Sequence, residues 1–295
     1  MSRSSSLIAL AATAALAACA AKDTPKPDST KVAQAGAPTA AKRGKFDVAT
    51  HTATVVTKDF AFDAPDSISA GLTTFHLIND GPNLHHIQLV RLDSGKTAAD
   101  LGAAMQKPGP FPAWATLVGG PNTPNPGGSS DATFDVPAGN YVMLCLVDIP
   151  DNVPHFAKGM VHPFVVTPAV GTPAVAPTPD ITVTLADYAF DVKGPFTTGK
   201  HVIEIDNKGP QPHEMLLVKF APGKTMKDLA AWKAAPQGPP PGDALGGVSA
   251  VAIGSRNYIS VDLTPGTYEL ICFIPDAKDG KAHIEHGMSK EIVVK

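Results

Sequence analysis

The sequence predicts an all-β protein made of two tandem β-sandwiches, each carrying one short helix in a loop. Three observations carry that prediction: an internal repeat, a period-two hydrophobic alternation within each copy, and a composition rich in turn-formers. Gly and Pro number 26 and 29 among 295 residues, while charged residues are 17% and aromatic residues 6%. Such a mixture favours short strands joined by many turns over long helices or coiled coil. The formal net charge of −3 supplies no electrostatic reason to expect a nucleic-acid partner. No apolar run reaches the roughly 18 residues of a membrane-spanning helix, which speaks against a polytopic helical membrane protein.

Residues 1–18 read as a signal peptide. Arg3 gives the positive start, and Leu7-Ile8-Ala9-Leu10 through Leu16 form a short apolar stretch. Leu16-Ala17-Ala18-Cys19 resembles the lipobox of bacterial lipoproteins, which implies lipidation of Cys19 as the mature N-terminus; a plain secretory signal is the alternative. Residues 19–45 lack any apolar period and read as a flexible tether. The expected location is therefore an exported lipoprotein, periplasmic or at the cell surface, held to a membrane by its lipid alone. Of the three cysteines, only Cys145 and Cys272 then remain, one in each half, too few for a disulfide scaffold.

The repeat sets the domain boundaries. Asp59-Phe-Ala-Phe-Asp63 returns as Asp187-Tyr-Ala-Phe-Asp191, and Asn79-Asp-Gly-Pro82 as Asn207-Lys-Gly-Pro210. Gly95-Lys-Thr97 returns as Gly223-Lys-Thr225, and Pro137-Ala-Gly-Asn-Tyr141 as Pro265-Gly-Thr-Tyr268 after a one-residue gap. The copies are residues 46–167 and 180–295, joined by a semi-stiff Pro/Ala/Thr linker at 168–179. Ile181, Val183 and Leu185 alternate with Thr182 and Thr184, and Ile203 and Ile205 with Glu204 and Asp206. Such runs between Gly/Pro turns imply about seven or eight strands per copy. A helix is expected at Thr97–Met105 and at Thr225–Trp232, each followed by a proline-rich loop; so few helices could not cover a parallel sheet.

The repeat is also an internal control on chemistry. Of ten histidines, two pairs coincide: His85 with His213, and His155 with His283. Cys145 coincides with Cys272, and Met160 with Met288. Strand parity puts His85, Ile87 and Leu89 on one face, with His86, Gln88 and Val90 turned outward. It puts His213, Met215 and Leu217 opposite Glu214, and Tyr268, Leu270 and Cys272 opposite Glu269. Any one of these residues alone reads as ordinary core. Two imidazoles, a thiol and a thioether, duplicated, make a poor core but a good copper site, because a trigonal His₂Cys set with a weak axial Met suits both Cu(I) and Cu(II). A bound metal would also keep the cysteine as thiolate and protect it after export. His51, His76, His162 and His201 have no counterparts and read as surface or strand-face residues. His86 and His286 remain alternatives to His85 and His283.

Pro265-Gly-x-Tyr-x-x-x-Cys272, Asn207-x-Gly-x-x-x-His213 and the spacings His155-x₄-Met160 and His283-x₄-Met288 resemble the cupredoxin family over almost all of both copies. The resemblance implies Greek-key β-sandwiches and two mononuclear type 1 coppers. His85, Cys145, His155 and Met160 would hold the first, and His213, Cys272, His283 and Met288 the second. The Cys-to-His loops are longer than in small blue copper proteins and resemble those of copper nitrite reductases. The implied function is electron transfer with unidentified redox partner proteins; copper sequestration or delivery is the alternative. An oxidase or nitrite reductase would need extra copper histidines. The neighbours of the cysteines are instead Leu144, Leu146, Ile271 and Phe273, no His-x-His occurs, and Val90 and Val218 stand where nitrite reductases place a further histidine. A catalytic role is therefore not expected.

Overall fold

The computed structural model describes residues 43–295 apart from 107, 108 and 110. The expected signal peptide at 1–18, nearly all of the expected tether at 19–45 and Cys19 lie outside the described residues. The first copy runs β1 (Lys45–Asp47), β2 (Thr52–Lys58), β3 (Ala61–Asp63), β4 (Ser67–Ser69), β5 (Gly71–Asn79), β6 (Gln88–Leu92), α1 (Ala98–Met105), β7 (Ala115–Gly119), β8 (Ser129–Val136), β9 (Gly139–Leu144) and β10 (Val161–Thr167). The second runs β11 (Ile181–Ala186), β12 (Ala189–Lys193), β13 (Gly199–Gly209), β14 (His213–Phe220), α2 (Met226–Ala234), β15 (Gly242–Val251), β16 (Arg256–Leu263), β17 (Gly266–Ile271) and β18 (Ser289–Val294). The copies thus have ten and eight strands, in all-β Greek-key sandwiches.

Period two is visible as burial. In β11, Ile181, Val183 and Leu185 are buried while the threonines between them are not, as a strand with one covered face requires. The two helices sit where Thr97 and Thr225 can cap them. Each threonine donates its backbone N–H and hydroxyl to the carboxylate three residues on, Asp100 or Asp228, and Thr97 Oγ1 accepts from Asp100 N–H at 3.2 Å. Tyr141 and Tyr268 each donate their hydroxyl to a carbonyl four residues upstream, Pro137 O at 2.7 Å and Thr264 O at 2.8 Å. Such tyrosine corners tie the start of the strand that leads to each cysteine.

One sheet has the order β1-β2-β5-β8-β16-β13-β11-β12, with β3 on β2; the other has β18-β17-β14-β15-β7-β6-β9-β10-β4. Both sheets therefore run on from one copy into the other. Thr133 opposite Tyr258 joins β8 to β16, and Val118 opposite Val251 joins β7 to β15. Beyond β7 the chain keeps pairing: Asn122 N–H donates to Gly247 O at 3.0 Å, Gly246 N–H to Thr123 O at 3.0 Å, and Ser249 N–H to Gly120 O at 2.9 Å. Gly246 permits this approach, since its φ is +94° and a Cβ there would lie 2.4 Å from Ser130 Cβ of the first copy. One apolar cluster, from Val55, Phe75 and Leu89 to Ile203, Leu217 and Tyr268, fills the space between the sheets in both copies. Joining the copies through both sheets hides inner edges that would otherwise be free to pair with other chains.

Candidate metal centres

Each first histidine is launched by an asparagine at the end of a strand. Asn79 Nδ2 donates to Asn83 O at 2.9 Å and Pro124 O at 3.3 Å, while its Oδ1 accepts from Gly81 N–H at 3.1 Å. Asn207 does the same with Gln211 O (3.0 Å), Val251 O (2.9 Å) and Gly209 N–H (2.8 Å). This is the physical content of the Asn-x-Gly-x-x-x-His pattern: the amide folds the loop so that the histidine re-enters the core. Gly81 is required there, because a Cβ would lie 2.8 Å from His85 Nε2.

The second histidine returns to the cysteine through a closed set of backbone bonds. His155 N–H donates to Val147 O (2.9 Å), Phe156 N–H to Cys145 O (2.8 Å), Met160 N–H to His155 O (3.0 Å) and Cys145 N–H to Met160 O (3.4 Å). In the second copy His283, Ile284, Met288 and Cys272 make the matching bonds to Ile274, Cys272, His283 and Met288 at 2.9, 2.9, 3.0 and 3.3 Å. A 3-10 turn carries each histidine and ends on a left-handed glycine, Gly159 or Gly287. Different loop sequences thus build one geometry.

These loops bring His85, Cys145 and His155 together in one copy and His213, Cys272 and His283 in the other, with every donor residue fully buried. His85 Nδ1 lies 3.1 Å from His155 Nδ1, and Cys145 Sγ lies 3.5 Å from His155 Nδ1 and 4.0 Å from His85 Nδ1. The point equidistant from those three atoms is about 2.1 Å from each, the length of a metal–nitrogen or metal–sulfur bond. In the second copy the two Nδ1 atoms are 3.0 Å apart, with Cys272 Sγ 3.3 Å from His283 Nδ1. Met160 and Met288 are fully buried and bonded through their backbone to the cysteine and the second histidine of their own copy.

Protonation shows that the residues fit a cation. His85 Nε2 faces the Asp59 carboxylate at 2.7 Å, and His155 Nε2 faces the Ile149 carbonyl at 3.2 Å. Both partners only accept, so both rings carry their proton on Nε2. Burial holds both rings neutral, against the pull of Asp59 on His85 and reinforced by His85 itself on His155. Two bare Nδ1 lone pairs therefore face each other. The thiol of Cys145, pushed up to about 12 by burial, keeps its proton and can serve one of them, leaving the other unserved. A cation at the centre would take both lone pairs and release the thiol proton. In the second copy the charges follow the same pattern, though neither Nε2 has a hydrogen-bond acceptor to fix its tautomer: burial and the facing His283 lower His213 to about 4, burial lowers His283, and burial raises Cys272.

The outer contacts differ between the copies. His213 Nε2 lies 2.9 Å from Asp187 Oδ1 but off the line of a hydrogen bond. Where the first copy offers the Ile149 carbonyl, the second offers a carboxylate: His283 Nε2 is 3.8 Å from Asp276 Oδ2. Asp276 is itself held by Tyr188 Oη (2.6 Å), Gln211 Nε2 (2.8 Å) and the N–H of Lys278 (2.7 Å), which keep its carboxyl well below the usual range.

His86 and His286 stand outside these clusters. His86 is on the face opposite His85, but it is not outward: it is buried at the junction of the copies, where its Nε2 accepts from Leu146 N–H at 2.9 Å. Glu214 takes the same role, accepting from Phe273 N–H at 2.8 Å, and Gln88, Val90 and Glu269 are buried as well. The expectation of a solvent face fails because the adjoining copy and loops cover it. His286 packs on Tyr188 and reaches Asp279 at 3.2 Å. His51 is also buried rather than superficial, edge-on to Phe46. His76 and His201 pair with Asp131 and Asp180, and His162 contacts Pro65 O.

Sequence reading missed Asp59 and Asp187 as partners of the first histidines, and Phe60 and Tyr188, whose rings stand edge-on to the second histidines at 4.9 and 5.5 Å. Their signal was present: both pairs belong to the repeated Asp-Phe/Tyr-Ala-Phe-Asp motif. A third cluster of possible ligands, Asp276, Asp279 and His286, belongs to the second copy alone.

No protein-family model matches the chain, and no curated protein matches it. Among solved structures it is similar to a multicopper oxidase (16% identity, 83% of this chain and 88% of that one, TM-score 0.26). It is also similar to dithionite-reduced auracyanin from Roseiflexus castenholzii (26% identity, 41% of this chain and 98% of that one, TM-score 0.26). A third is auracyanin A, a "blue" copper protein from Chloroflexus aurantiacus (26% identity, 39% and 98%, TM-score 0.28). At such TM-scores none of these bears on the site, which stands on its own geometry.

Proposed function

We propose that this chain is a copper-binding electron-transfer protein with two mononuclear type 1 centres, tethered to the cell envelope through Cys19. His85, Cys145, His155 and Met160 hold one centre, and His213, Cys272, His283 and Met288 hold the other. The observation that supports it is the meeting, in each copy, of two imidazole nitrogens and one sulfur within 4.8 Å of one another in a fully buried site. Copper bound by such a set supplies reversible one-electron transfer.

The protein's own part is to hold the donors still. Asp59 and the Ile149 carbonyl fix the two rings of the first site from outside, and Asp187 and Asp276 flank those of the second. The tyrosine corners and the backbone bonds around each cysteine fix the sulfur. A ligand set locked before loading needs little rearrangement when its charge changes. Complete burial of the donors favours this over copper delivery, since an acceptor protein could not reach them without opening the fold. Apolar Leu146 and Phe273 next to the cysteines, and Val90 and Val218 where nitrite reductases place a further histidine, favour a carrier over an oxidase or nitrite reductase. The partners are redox proteins of the same compartment.

The test is redox cycling. Copper-loaded protein, reduced with ascorbate and reoxidised with ferricyanide, should take up and then give back two electrons per chain over repeated cycles without losing copper. Release of copper on the first reduction would favour the sequestration or delivery reading.

A further inference from the structure

Four residues near the junction of the copies each follow a candidate ligand in the chain. His86 follows His85, Leu146 follows Cys145, Glu214 follows His213 and Phe273 follows Cys272. Within each copy they bond in pairs: Leu146 N–H donates to His86 Nε2 at 2.9 Å, and Phe273 N–H to Glu214 Oε1 at 2.8 Å. Each pair ties the residue after the first histidine to the residue after the cysteine. His86 and Glu214 are both buried, whereas Val90 and Val218, four residues further on, fill that face at no cost in polar desolvation.

A segment of the first copy joins the two pairs across the junction. Ile87 N–H donates to Pro121 O at 3.0 Å, and the next residue, Asn122, donates its Nδ2 to Glu214 Oε2 at 3.2 Å. The Asn122 amide is fixed in this sense, because its Oδ1 accepts from Thr123 N–H at 2.8 Å while Nδ2 also donates to Val248 O at 3.2 Å. Its backbone is fixed as well, by Asn122 N–H on Gly247 O at 3.0 Å. From His85 to His213 a route therefore runs along covalent bonds except at two hydrogen bonds, Ile87 to Pro121 and Asn122 to Glu214. Every residue on it is buried.

We propose, resting on the two-copper reading above, that this route carries electrons between the two centres, so that the chain passes an electron within itself as well as to and from its partners. Tunnelling falls off less steeply along covalent and hydrogen bonds than across a van der Waals gap, and the Asn122 side chain supplies the bond that closes the gap between the copies. The electron lost at one centre is the electron gained at the other; no bond is made or broken and no proton moves. Asn122 is a positioning residue of this exchange and holds neither metal.

The test follows electron redistribution in the copper-loaded full chain by rapid-freeze electron paramagnetic resonance, with Cys145→Ser and Cys272→Ser supplying the reference spectrum of each centre. One sample starts oxidised and receives one electron per chain; a second starts reduced and loses one. Both should reach a common distribution at a first-order rate independent of protein concentration. Asn122→Leu and Glu214→Gln each remove the crossing bond, the second because its amide oxygen keeps Phe273 N–H and its NH2 then meets Asn122 Nδ2. Each should slow the exchange severalfold, with copper content, visible band and circular dichroism unchanged. Ser249→Ala removes a different junction bond, Ser249 Oγ to Ile87 O at 2.7 Å, and should leave the rate as it is. Should one crossing variant misfold, the other decides. Redistribution that depends on protein concentration, a rate untouched by both crossing variants, or equal slowing in Ser249→Ala overturns the route. A wild type that fails to bind two such coppers overturns the functional reading, and the route with it.

Discussion

The Asp59 carboxylate and His85 Nε2 lie 2.7 Å apart, which commits the ring proton to the outside of the site and leaves Nδ1 bare toward His155 and Cys145. Removing that carboxylate frees the ring to place its proton on Nδ1. Asp59→Ala should therefore weaken copper binding at the first site by about 10- to 100-fold, the usual loss for an outer partner of a metal-bound histidine, and leave the second unchanged. Competition titration with a Cu(I) chelator measures both sites; equal loss at both would contradict a local positioning role.

The two centres should differ in reduction potential. The second site has carboxylates beside both rings, Asp187 and Asp276, where the first has Asp59 and a neutral carbonyl. Negative charge favours the more positive oxidation state, and more strongly in a buried site. Voltammetry should show two one-electron waves with the second site lower, and Asp276→Asn should raise that wave alone. Identical waves that do not move in the variant would show that these carboxylates do not tune the site.

The metal-free protein should lose stability in acid through His86. Burial lowers this ring from 6.5 to about 3. The unfolded chain then binds more protons than the folded one between those values, so the stability held above pH 6.5 falls as pH drops toward 3. His86 should account for about 3 kcal/mol of loss between pH 7 and pH 4. Gln at this position can keep the acceptor for Leu146 N–H without titrating. Urea denaturation at the two pH values, compared with His86→Gln, reads the difference; an unchanged slope in the variant would assign the loss elsewhere.

Cutting the linker should not part the copies. Val170 and Val175 in it are exposed, while both sheets continue across the junction. A protease site inserted between residues 172 and 176, once cleaved, should leave two fragments that elute together in size-exclusion chromatography. Separation at micromolar concentration would show the sheet junction to be too weak to hold them.

How far the sequence could be read follows from where each signal is stored. His85, Cys145 and His155 were legible because the second copy retains their counterparts at the same strand parity. The repeated segments ending in Tyr141 and Tyr268 and the helices starting at Thr97 and Thr225 were legible as local patterns, but not the hydrogen bonds those residues make. The fusion of the copies was not, because Asn122, Ser249 and Gly247 act through backbone pairing, which leaves little trace in residue type. That omission explains His86 and Glu214: parity placed them correctly opposite the ligands, but what covers that face is the rest of the fold. Asp59 was visible as a repeated residue, yet its partner is 26 positions away on another loop, and only the folded chain brings them together.

Copper content and the visible spectrum, measured on the same samples of wild type, Cys145→Ser, Cys272→Ser and the double variant, probe the two centres most directly. The expected result is two coppers per chain with an intense thiolate-to-copper band, halved in either single variant and absent in the double variant, whose circular dichroism is unchanged. Copper bound without that band, or retained in full by the double variant, would contradict the ligand sets proposed here.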